Sequence, residues 1–507
     1  MLLADVVATS TTVAATRSRT AKVAALADLL GRLDRDDTDR AAVVASYLGG
    51  SLRQRRTGLG WRGLSALPDP AEAASLTVDD VHHRFEGISA LGGAGSAAKR
   101  SAAVDDLFAR ATADEQRWLR GVVTGELRQG ALDALVQDAA AVVAGVPGPD
   151  VRRAAMLAGS TVDAVVAALH GGAGELAGFR LHVGRPLLPM LASSATSVAE
   201  AVGGFTGEVA VDTKLDGIRI QVHRGPEGIR IATRTLDDIT TRLPEVVEIV
   251  RELPAHEFVL DGEALALGDD GRPKAFQDTA SRTAQTSGTI VTPYFFDVLH
   301  LDGVDLLDVP LRDRLEALDG LVPQRWRVPR LVTADAEAAS GFADDVVAAG
   351  HEGVVVKDLD SRYAAGRRGG AWVKVKPVHT LDLVVLAVEQ GSGRRSRWLS
   401  NIHLGARDPE TGGFVMLGKT FKGMTDEVLT WQTARFRDLQ TEDPRNDTGH
   451  VVTVRPEQVV EIAFDGLQRS TRYPGGVALR FARVVRYRDD KTADEADTLE
   501  TVLKLAR

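Results

Sequence analysis

The apolar pattern of this chain changes its period near residue 205, and that change restricts the folds open to it. Up to about residue 185, apolar residues recur three and four positions apart in an alanine-rich background, which is typical of amphipathic helices. Later come short runs rich in β-branched and aromatic residues, separated by turn residues, which indicate strands. We therefore predict a multidomain protein, with an all-α domain over residues 1–185 and an α+β domain over residues 186–382.

The last part of the chain, residues 383–507, is also predicted to form short strands. A helical segment near residues 425–440 interrupts them, and further strands are expected around residues 451–464 and 477–487. This pattern predicts a small β-barrel with an inserted helix.

The composition excludes several classes of protein. Hydrophobic residues make up 44% and charged residues 26% of the chain, as in ordinary soluble domains. We find no apolar run of membrane-spanning length and no secretory signal in MLLADVVATS, so we expect a cytoplasmic protein. The absence of cysteine excludes disulfides, thiolate zinc sites and cysteine nucleophiles. The net charge of −9 argues against unselective nucleic-acid binding, although local basic patches remain open.

Lysine is scarce, which makes each lysine informative. Only 11 of the 61 basic residues are lysine, so arginine serves most surface positions and a lysine is expected where a deprotonatable amine is needed. In VDTKLDGIRIQVHR, residues 211–224, Lys214 stands just before a tight turn at Asp216-Gly217 that joins two strands. By itself the stretch fits either a solvated surface lysine or a nucleophile at the edge of a pocket.

Three further segments carry charged residues on predicted strands. In VLDGEALAL, Asp261 and Glu263 lie on one face, and in HEGVVVKD, Glu352 precedes an apolar run; solvent-facing charges remain an alternative for each. In WVKVKP, Lys374 and Lys376 project to the same side. Two neighbouring ammonium groups repel each other unless an anion lies near them, and a polyphosphate would supply that anion.

Two other segments suggest phosphate binding. LRFARVVRYRDDK, residues 479–491, is a basic ribbon that fits either a solvated surface or phosphate contact. GFVMLGKT, residues 413–420, satisfies the formal pattern of a P-loop. Its central residues form a strand-like apolar run and no helix is expected directly after it, so we interpret it as a chance match.

Six motifs follow one another in the order KLDGIR, DGE, YFFD, EGVVVK, WVKVKP and the terminal arginine cluster. In this order they resemble the covalent nucleotidyltransferase superfamily, and most closely the ATP-dependent DNA ligases of bacterial type. The segments LRGVVTGELRQGALDALVQDA and RPLLPMLA resemble the N-terminal helical DNA-binding domain of the larger ligases. The resemblance implies that this domain is followed by an adenylation domain and a C-terminal OB-fold β-barrel, within the boundaries given above.

The same resemblance implies an activity. A monomeric enzyme would use ATP and Mg²⁺ to seal nicks in duplex DNA during repair, replication or recombination. A lysyl-AMP would form first with release of pyrophosphate, AMP would then pass to the 5′-phosphate of the nick, and the 3′-hydroxyl would displace AMP.

Roles for particular residues are also implied by the resemblance. Lys214 would carry the adenylate, Asp212 would read the adenine edge, and Phe296 would stack on the base. Glu263 would contact the ribose or a metal, and Glu352 a metal. The residues that would contact the nucleotide, its phosphates, the phosphate at the nick or pyrophosphate are Arg219, Arg234, Arg368, Lys374, Lys376, Arg480, Arg483 and Lys491. The chain has Ala482 where the family has proline, which we expect to loosen that strand without abolishing activity.

The chemistry explains these residue types independently. A lysine amine attacks phosphorus only when it is neutral, and arginine cannot take its place because it stays protonated. Arg219, Lys374, Lys376 and Mg²⁺ are the cations expected around Lys214 to favour the neutral amine. Positive groups are also expected to stabilise the charge that spreads over the leaving pyrophosphate.

Several alternatives remain at this stage. The related NAD-dependent bacterial ligases carry a four-cysteine zinc site, which a chain without cysteine lacks. RNA ligases and mRNA-capping guanylyltransferases share the core, but the large helical domain and Asp212 favour DNA and adenine. Outside the superfamily, a catalytically silent DNA-binding scaffold or a P-loop ATPase built on residues 413–420 would fit parts of the chain.

Overall fold

The computed structural model describes residues 1–54, 56–127, 129, 133–269, 271–274, 276–284, 290–364, 368–392, 395–443 and 450–505. For residues 276, 283, 284, 368 and 369 it describes the backbone alone. Within these ranges no helix is long and apolar enough to cross a membrane.

Residues 1–185 fold into helices, as the apolar periodicity predicts. Side chains at Ser18, Asp37, Thr77 and Thr112 accept hydrogen bonds from backbone N–H groups in the first turns of their helices, which satisfies donors that lack a helical partner. The apolar faces meet in one core. The helices that the structure describes here are α1 Leu3–Ala15, α2 Arg19–Leu30, α3 Thr38–Leu48, α4 Val78–Ala90, α5 Ser96–Ala109, α6 Ala113–Thr124, α7 Asp133–Ala144, α8 Gly148–Ala158 and α9 Thr161–Leu176.

The middle of the chain forms two five-stranded sheets with helices packed against them. The first sheet has the strand order β1-β10-β9-β2-β8, and the second, which is antiparallel, has the order β4-β3-β5-β6-β7. The elements are β1 Leu191–Ser194, α10 Val198–Gly203, β2 Val209–Lys214, β3 Ile218–Gly225, β4 Gly228–Thr233, α11 Pro244–Arg251, β5 Phe258–Ala266, α12 Phe276–Ala284, β6 Val291–Leu301, β7 Val304–Asp305, α13 Leu311–Leu321, β8 Arg330–Thr333, α14 Ala336–Ala348, β9 Gly353–Asp358 and β10 Arg368–Val375.

The C-terminal part consists mainly of antiparallel strands. Its larger sheet has the order β13-β12-β11-β15-β18, β14 pairs with β11, and β16 pairs with β17. A helix lies between β13 and β14, as predicted. The elements are β11 His379–Gln390, β12 Leu399–Arg407, β13 Phe414–Thr420, α15 Asp426–Asp438, β14 Val451–Thr453, β15 Val459–Phe464, β16 Gly466–Arg469, β17 Val477–Arg480, β18 Arg483–Tyr487 and α16 Leu499–Lys504. Because β11 begins at His379, the boundary expected after residue 382 falls inside a strand.

The segment that matches the P-loop pattern is a strand. Residues 414–420 pair with β12 along their length, and the next helix begins only at Asp426. Lys419 contacts Glu389 on β11. Burial alone would raise the pKa of Glu389, but hydrogen bonds from Lys419, His403 and Asn401 outweigh it and lower the pKa to about 2. The lysine on β13 therefore reaches across β12 to a carboxylate on β11 and is not part of a phosphate-binding loop.

Candidate active site

A cavity of about 520 Å³ lies between the two sheets of the middle domain. Strands β2 and β9 supply residues from the first sheet, and β3 and β5 supply residues from the second. The residues predicted from the sequence that line it are Asp212, Lys214, Arg219, Arg234, Glu263, Phe296, Glu352 and Lys374. Motifs spread over some 160 residues thus meet at one place.

Two motif glycines allow the walls of this cavity to approach each other. A Cβ on Gly217 would lie 2.3 Å from the carbonyl oxygen of Ala264 on β5. Gly353 has a φ of +132°, and a Cβ there would lie 2.3 Å from the carbonyl oxygen of Val375. Because any side chain would collide with a neighbouring strand, only glycine fits the turn after Lys214 and the start of β9.

Lys214 ends β2 and reaches the carboxylate of Glu352, the residue just before β9. It lies opposite Gly353 in the β2–β9 ladder, so Glu352 stands beside it. One carboxylate oxygen of Glu352 contacts Nζ of Lys214 and the other contacts Nζ of Lys376. The side chains of Lys214 and Glu352 are 22% and 13% exposed, so the amine is held at the cavity edge, still open to solvent. Glu352 thus joins Lys376 to Lys214, and an anion beside the pair Lys374 and Lys376 stays a prediction.

The inner end of the cavity holds a buried ionic cluster around Asp212. Its Oδ1 accepts a hydrogen bond from Nε of Arg330 at 2.5 Å, and its Oδ2 lies 2.6 Å from Nζ of Lys357. Burial alone would raise the pKa of Asp212, but the charges of Arg330 and Lys357 outweigh it and lower the pKa. Burial lowers the pKa of Lys357, and the nearby charge of Arg330 acts in the same direction.

Two aromatic rings flank this cluster. The rings of Phe296 and Trp372 meet edge to face with centroids 5.9 Å apart. Nζ of Lys357 lies 4.5 Å from the Phe296 centroid and 4.2 Å from the Trp372 centroid, within the range of a cation–π contact. Flat apolar surfaces, a carboxylate and an ammonium group therefore lie within one small volume.

Arg219 forms part of the cavity wall. Its guanidinium donates to both carboxylate oxygens of Asp261, at 2.9 and 2.6 Å, and to the carbonyl of Met190 at 2.6 Å. The hydroxyl of Tyr363 donates to Asp261 at 2.7 Å. The Asp261 side chain is 1% exposed, so the face that carries Asp261 and Glu263 points inward, and the solvent-facing alternative is wrong for Asp261. Arg219 is thus already engaged by protein groups.

Glu263 is the carboxyl group that fits a positively charged or hydroxyl-bearing ligand. Burial raises its pKa to about 7, while the charges of Lys214 and Arg219 act in the opposite direction. Across the described ranges its carboxylate forms no ion pair. In the same ranges, no group of three or more acidic or histidine side chains lies close enough together to hold a metal ion.

Arg234 and Lys374 supply positive charge on the open side of the cavity. Arg234 is exposed and, in the part of the chain that the structure describes, forms no ion pair. It belongs to a tight turn in which Leu236 has a φ of +65° and packs against Gly159 of the helical domain, where a Cβ would lie 2.8 Å from Leu236 Cδ1. The side chain of Arg368 lies outside the described residues.

The three basic residues predicted near the C-terminus lie in different places. Nη1 of Arg480 donates to Asp216 in the turn after Lys214 at 2.6 Å. Arg483 lies 3.4 Å from Asp465, and Lys491 lies 2.6 Å from Asp382. None of the three lines the cavity, so their contact with phosphate stays a prediction.

Sequence reasoning did not assign the partners that complete the cavity. Lys357 and Trp372 stand inside recognised motifs, EGVVVK and WVKVKP, so their motif position was an available signal. Arg330 and Tyr363 lie outside the six motifs, and only their contacts with Asp212 and Asp261 reveal them.

Three family models match the chain in order. They are described as "DNA ligase N terminus" over residues 65–141, "ATP dependent DNA ligase domain" over residues 189–376 and "ATP dependent DNA ligase C terminal region" over residues 395–491. The middle match ends at Lys376 and spans all the residues that line the cavity.

Relatives match over nearly their whole length. A "Probable DNA ligase" of Kineococcus radiotolerans is 81% identical over 507 residues, which is 100% of both chains. Another of a Nocardioides species is 67% identical over 99% of this chain and 98% of its own. A solved structure described as "Pmar-Lig_Pre" is 17% identical with a TM-score of 0.62, covering 96% of this chain and 99% of that one; this likeness concerns the fold alone.

Proposed function

The chain belongs to the ATP-dependent DNA ligases, and we propose that Lys214 is the residue that carries the adenylate between ATP and a nick in duplex DNA. One observation carries this proposal: Nζ of Lys214 contacts a carboxylate oxygen of Glu352 at the mouth of a cavity whose lining also includes Asp212, Phe296 and Lys357.

The first step forms a bond between Nζ of Lys214 and the α-phosphorus of ATP. The amine attacks in its neutral form, and Glu352, already in contact with Nζ, is placed to take the proton. The bond between the α-phosphorus and the oxygen that leads to the β-phosphate breaks, and pyrophosphate leaves with those electrons. Arg234 and Lys374, both on the cavity wall, stabilise charge on the phosphate oxygens.

The next two steps consume the adenylate. A 5′-phosphate oxygen at the nick attacks the same phosphorus, the bond to Nζ breaks, and Lys214 regains a proton. The 3′-hydroxyl then attacks the activated 5′-phosphorus and loses its proton to solvent. The bond between that phosphorus and the AMP oxygen breaks, AMP leaves, and the strand is continuous. AMP is a far better leaving group than the oxide ion that direct attack on the phosphate would require, which explains why the energy of ATP enters through an adenylate.

Adenine is proposed to lie between Phe296 and the ionic cluster at the inner end. The adenine edge presents an amino donor next to a ring-nitrogen acceptor. Asp212, an acceptor, and Lys357, a donor, lie 2.6 Å apart and offer the complementary pair. Guanine presents a carbonyl and an N–H group in the opposite order, so this pair favours ATP over GTP.

The donor set also fits Mg²⁺, which binds proteins through one or two carboxylates and completes its shell with water and substrate phosphates. Glu263 and Glu352 would hold it together with the phosphates of ATP. When bound, Mg²⁺ supplies positive charge that stabilises the phosphate oxygens.

The substrate and the arrangement of domains extend the proposal. We assign the duplex-binding role to the helical domain. We assign an OB-fold to the residues after the adenylation domain, which the strand order of the C-terminal sheet supports. The enzyme acts as a monomer on nicked DNA in the bacterial cytoplasm. Its three domains extend over about residues 1–185, 186–382 and 383–507. Arg480 beside the Lys214 turn is the terminal arginine best placed to meet leaving pyrophosphate.

Labelling with three nucleotides tests this function. The wild-type protein is incubated with Mg²⁺ and with ATP, GTP or NAD labelled in the nucleoside monophosphate, then denatured. We expect label from ATP alone to remain on the polypeptide, to leave when nicked duplex is added, and to be absent when Mg²⁺ is chelated. Label from GTP or NAD in its place, or nicks bound but never sealed, would contradict the proposal.

Replacing Lys357 with methionine tests the adenine contact. A hydrogen bond to a charged group contributes about 1.5–3 kcal/mol, so kcat/KM for adenylation by ATP should fall roughly 10- to 100-fold, and the preference for ATP over GTP should narrow. Single-turnover labelling with each nucleotide measures both. Lys422→Met is the matched control, because Lys422 also faces an aromatic ring, Phe481, but lies outside the cavity lining. An equal loss with both nucleotides would show that Lys357 merely supports the fold.

A further inference from the structure

We propose that Leu236 is a positioning residue through which the helical domain holds Arg234 in place for the formation of lysyl-AMP. The helical domain thereby takes part in a step that needs no DNA, in addition to the duplex-binding role assigned above. This inference rests on the proposed function and deepens it, because it explains how one cation of the nucleotide cavity is held. Leu236 and Arg234 lie in the turn at the end of β4, residues 233–237, here called the Arg234 turn.

Leu236 has a backbone conformation that leucine rarely adopts. Its φ is +65°, in the left-handed region, where the Cβ atom of an L-residue crowds the following carbonyl oxygen. Glycine adopts this conformation without strain. A strained residue persists only where its surroundings hold it, and such residues concentrate at functional sites. The contacts of the Leu236 side chain therefore have to account for a leucine at this position.

The Leu236 side chain packs against the end of α8 in the helical domain. Gly159 follows α8 with a φ of +66°, and a Cβ there would lie 2.8 Å from Cδ1 of Leu236 and 2.9 Å from the carbonyl oxygen of Pro186. Any side chain on Gly159 would therefore collide with these neighbours. The helical domain thus leaves a space that the Leu236 side chain fills, and a glycine at position 236 would leave that space empty.

The end of α8 is itself fixed to the adenylation domain. The backbone N–H of Leu188, shortly before β1, donates to the carbonyl of Met156 at 3.1 Å. Met156 and Leu157, each 2% exposed, belong to the same apolar core as Trp372 of the cavity wall. The surface that receives Leu236 is therefore held in a fixed position relative to the nucleotide cavity.

Hydrogen bonds within the Arg234 turn connect Leu236 with Arg234. The N–H of Leu236 donates to the carbonyl of Thr233 at 2.9 Å, and the N–H of Thr233 donates to the carbonyl of Asp237 at the same distance. The Thr233 hydroxyl accepts a hydrogen bond from the N–H of Asp237 at 3.2 Å. Arg234 is exposed and lines the nucleotide cavity. Because Leu236 and Arg234 share this small ring of hydrogen bonds, a shift of Leu236 moves Arg234 relative to bound phosphates.

Replacing Leu236 with glycine tests the inference in reactions without DNA. Glycine keeps the left-handed backbone without strain but removes the contact with the helical domain. A small displacement of a positioning group lowers a rate by up to about 100-fold, so the maximal rate of self-adenylation should fall roughly 10- to 100-fold. The ATP concentration for half-maximal rate should change little, because Arg234 acts on charge that develops in the transition state. Single-turnover labelling over a range of ATP concentrations measures both quantities.

Leu236→Met and a double variant separate positioning from a general loss of fold. Methionine keeps an apolar side chain in the space beside Gly159, so Leu236→Met should retain most of the wild-type rate. If Leu236 acts through Arg234, the double variant Arg234→Ala/Leu236→Gly should adenylate as fast as Arg234→Ala alone, whereas independent losses would multiply. This comparison holds even if Leu236→Gly is less stable than the wild type, since a general loss of fold lowers every rate further.

Arg153→Gln is the matched control at the same interface. Arg153 on α8 pairs with Asp308 of the adenylation domain at 2.6 Å, with side chains 44% and 55% exposed. Such exposed pairs contribute little, so this variant should adenylate at the wild-type rate. A wild-type rate for Leu236→Gly, losses that multiply in the double variant, or an equal loss in Arg153→Gln would overturn the inference. A wild-type protein that forms no lysyl-AMP would instead contradict the proposed function.

Discussion

Replacing Lys214 with alanine is expected to abolish both self-adenylation and nick sealing. The variant lacks the nitrogen that forms the bond to phosphorus, and no other amine takes its place beside Glu352, because Lys376 contacts the other carboxylate oxygen and stands outside the cavity lining. Loss of a covalent nucleophile lowers rates on the order of 10⁴-fold or more. Lys214→Arg should be equally inactive, since a guanidinium stays protonated.

The measurement is retention of labelled adenylate on the denatured polypeptide, together with ligation of a nicked duplex. Lys419→Ala serves as the control and also tests the P-loop alternative, because that reading predicts ATP turnover that depends on Lys419 and not on Lys214. A variant at 214 should still seal nicks whose 5′-phosphate has been adenylated beforehand, at a reduced rate, since that step needs no lysyl-AMP. Adenylate retained by Lys214→Ala, or lost from Lys419→Ala, would disprove the assignment.

The cavity could be predicted from the sequence wherever one short segment carries both the strand and its functional residue. VDTKLDG gives a strand, a turn and Lys214 together, and EGVVVK and WVKVKP do the same for Glu352 and Lys374. In such segments the strand alternation determines which side chains share a face. Because β2, β9 and β10 are neighbouring strands of one sheet, their pairing then brings these segments together.

The contacts between segments could not be predicted in this way. The nucleotide contact of Arg219 stays a prediction, but nothing in its motif indicates that its Nε and Nη2 donate to Asp261. Asp261 lies on β5 two residues before Glu263, the residue opposite Arg219 in the ladder. Arg330 reaches Asp212 from 118 residues away in the chain. Such pairings depend on strand order and register, which a single sequence specifies only through its whole fold.

The P-loop pattern shows the converse limit. GFVMLGKT has the residues that the P-loop pattern requires, but phosphate binding by a P-loop needs a flexible loop that leads directly into a helix. The strand-forming run of Phe414 and its neighbours pairs with β12 instead, and Lys419 is engaged by Glu389. Strand propensity therefore predicts the structure of this segment correctly, whereas the motif alone would have indicated a phosphate-binding loop.

Replacing Arg314 with methionine is expected to destabilise the adenylation domain by about 3–5 kcal/mol, the usual effect of removing one partner of a buried ion pair. Arg314 and Asp297 are both 0% exposed. Nε and Nη2 of Arg314 donate to the two oxygens of Asp297 at 2.8 and 3.1 Å, and Nη1 donates to the carbonyl of Val309 at 2.8 Å. Methionine fills much of the volume but leaves a carboxylate and a carbonyl buried without these donors.

Urea unfolding, followed by tryptophan fluorescence and by loss of self-adenylation, measures the change in this domain. Arg312→Met is a matched control on the same helix, because Arg312 pairs with Asp360 in an exposed position, with side chains 49% and 67% exposed, and such pairs contribute little. The double variant Asp297→Asn/Arg314→Met should recover part of the loss, since it removes the unpaired charge. If the double variant is no more stable than Arg314→Met, the destabilisation comes from lost packing, and the buried charge is not its cause. Because Asp297 directly follows Phe296 on β6, recovery of stability should be accompanied by recovery of ATP binding at the aromatic wall of the cavity.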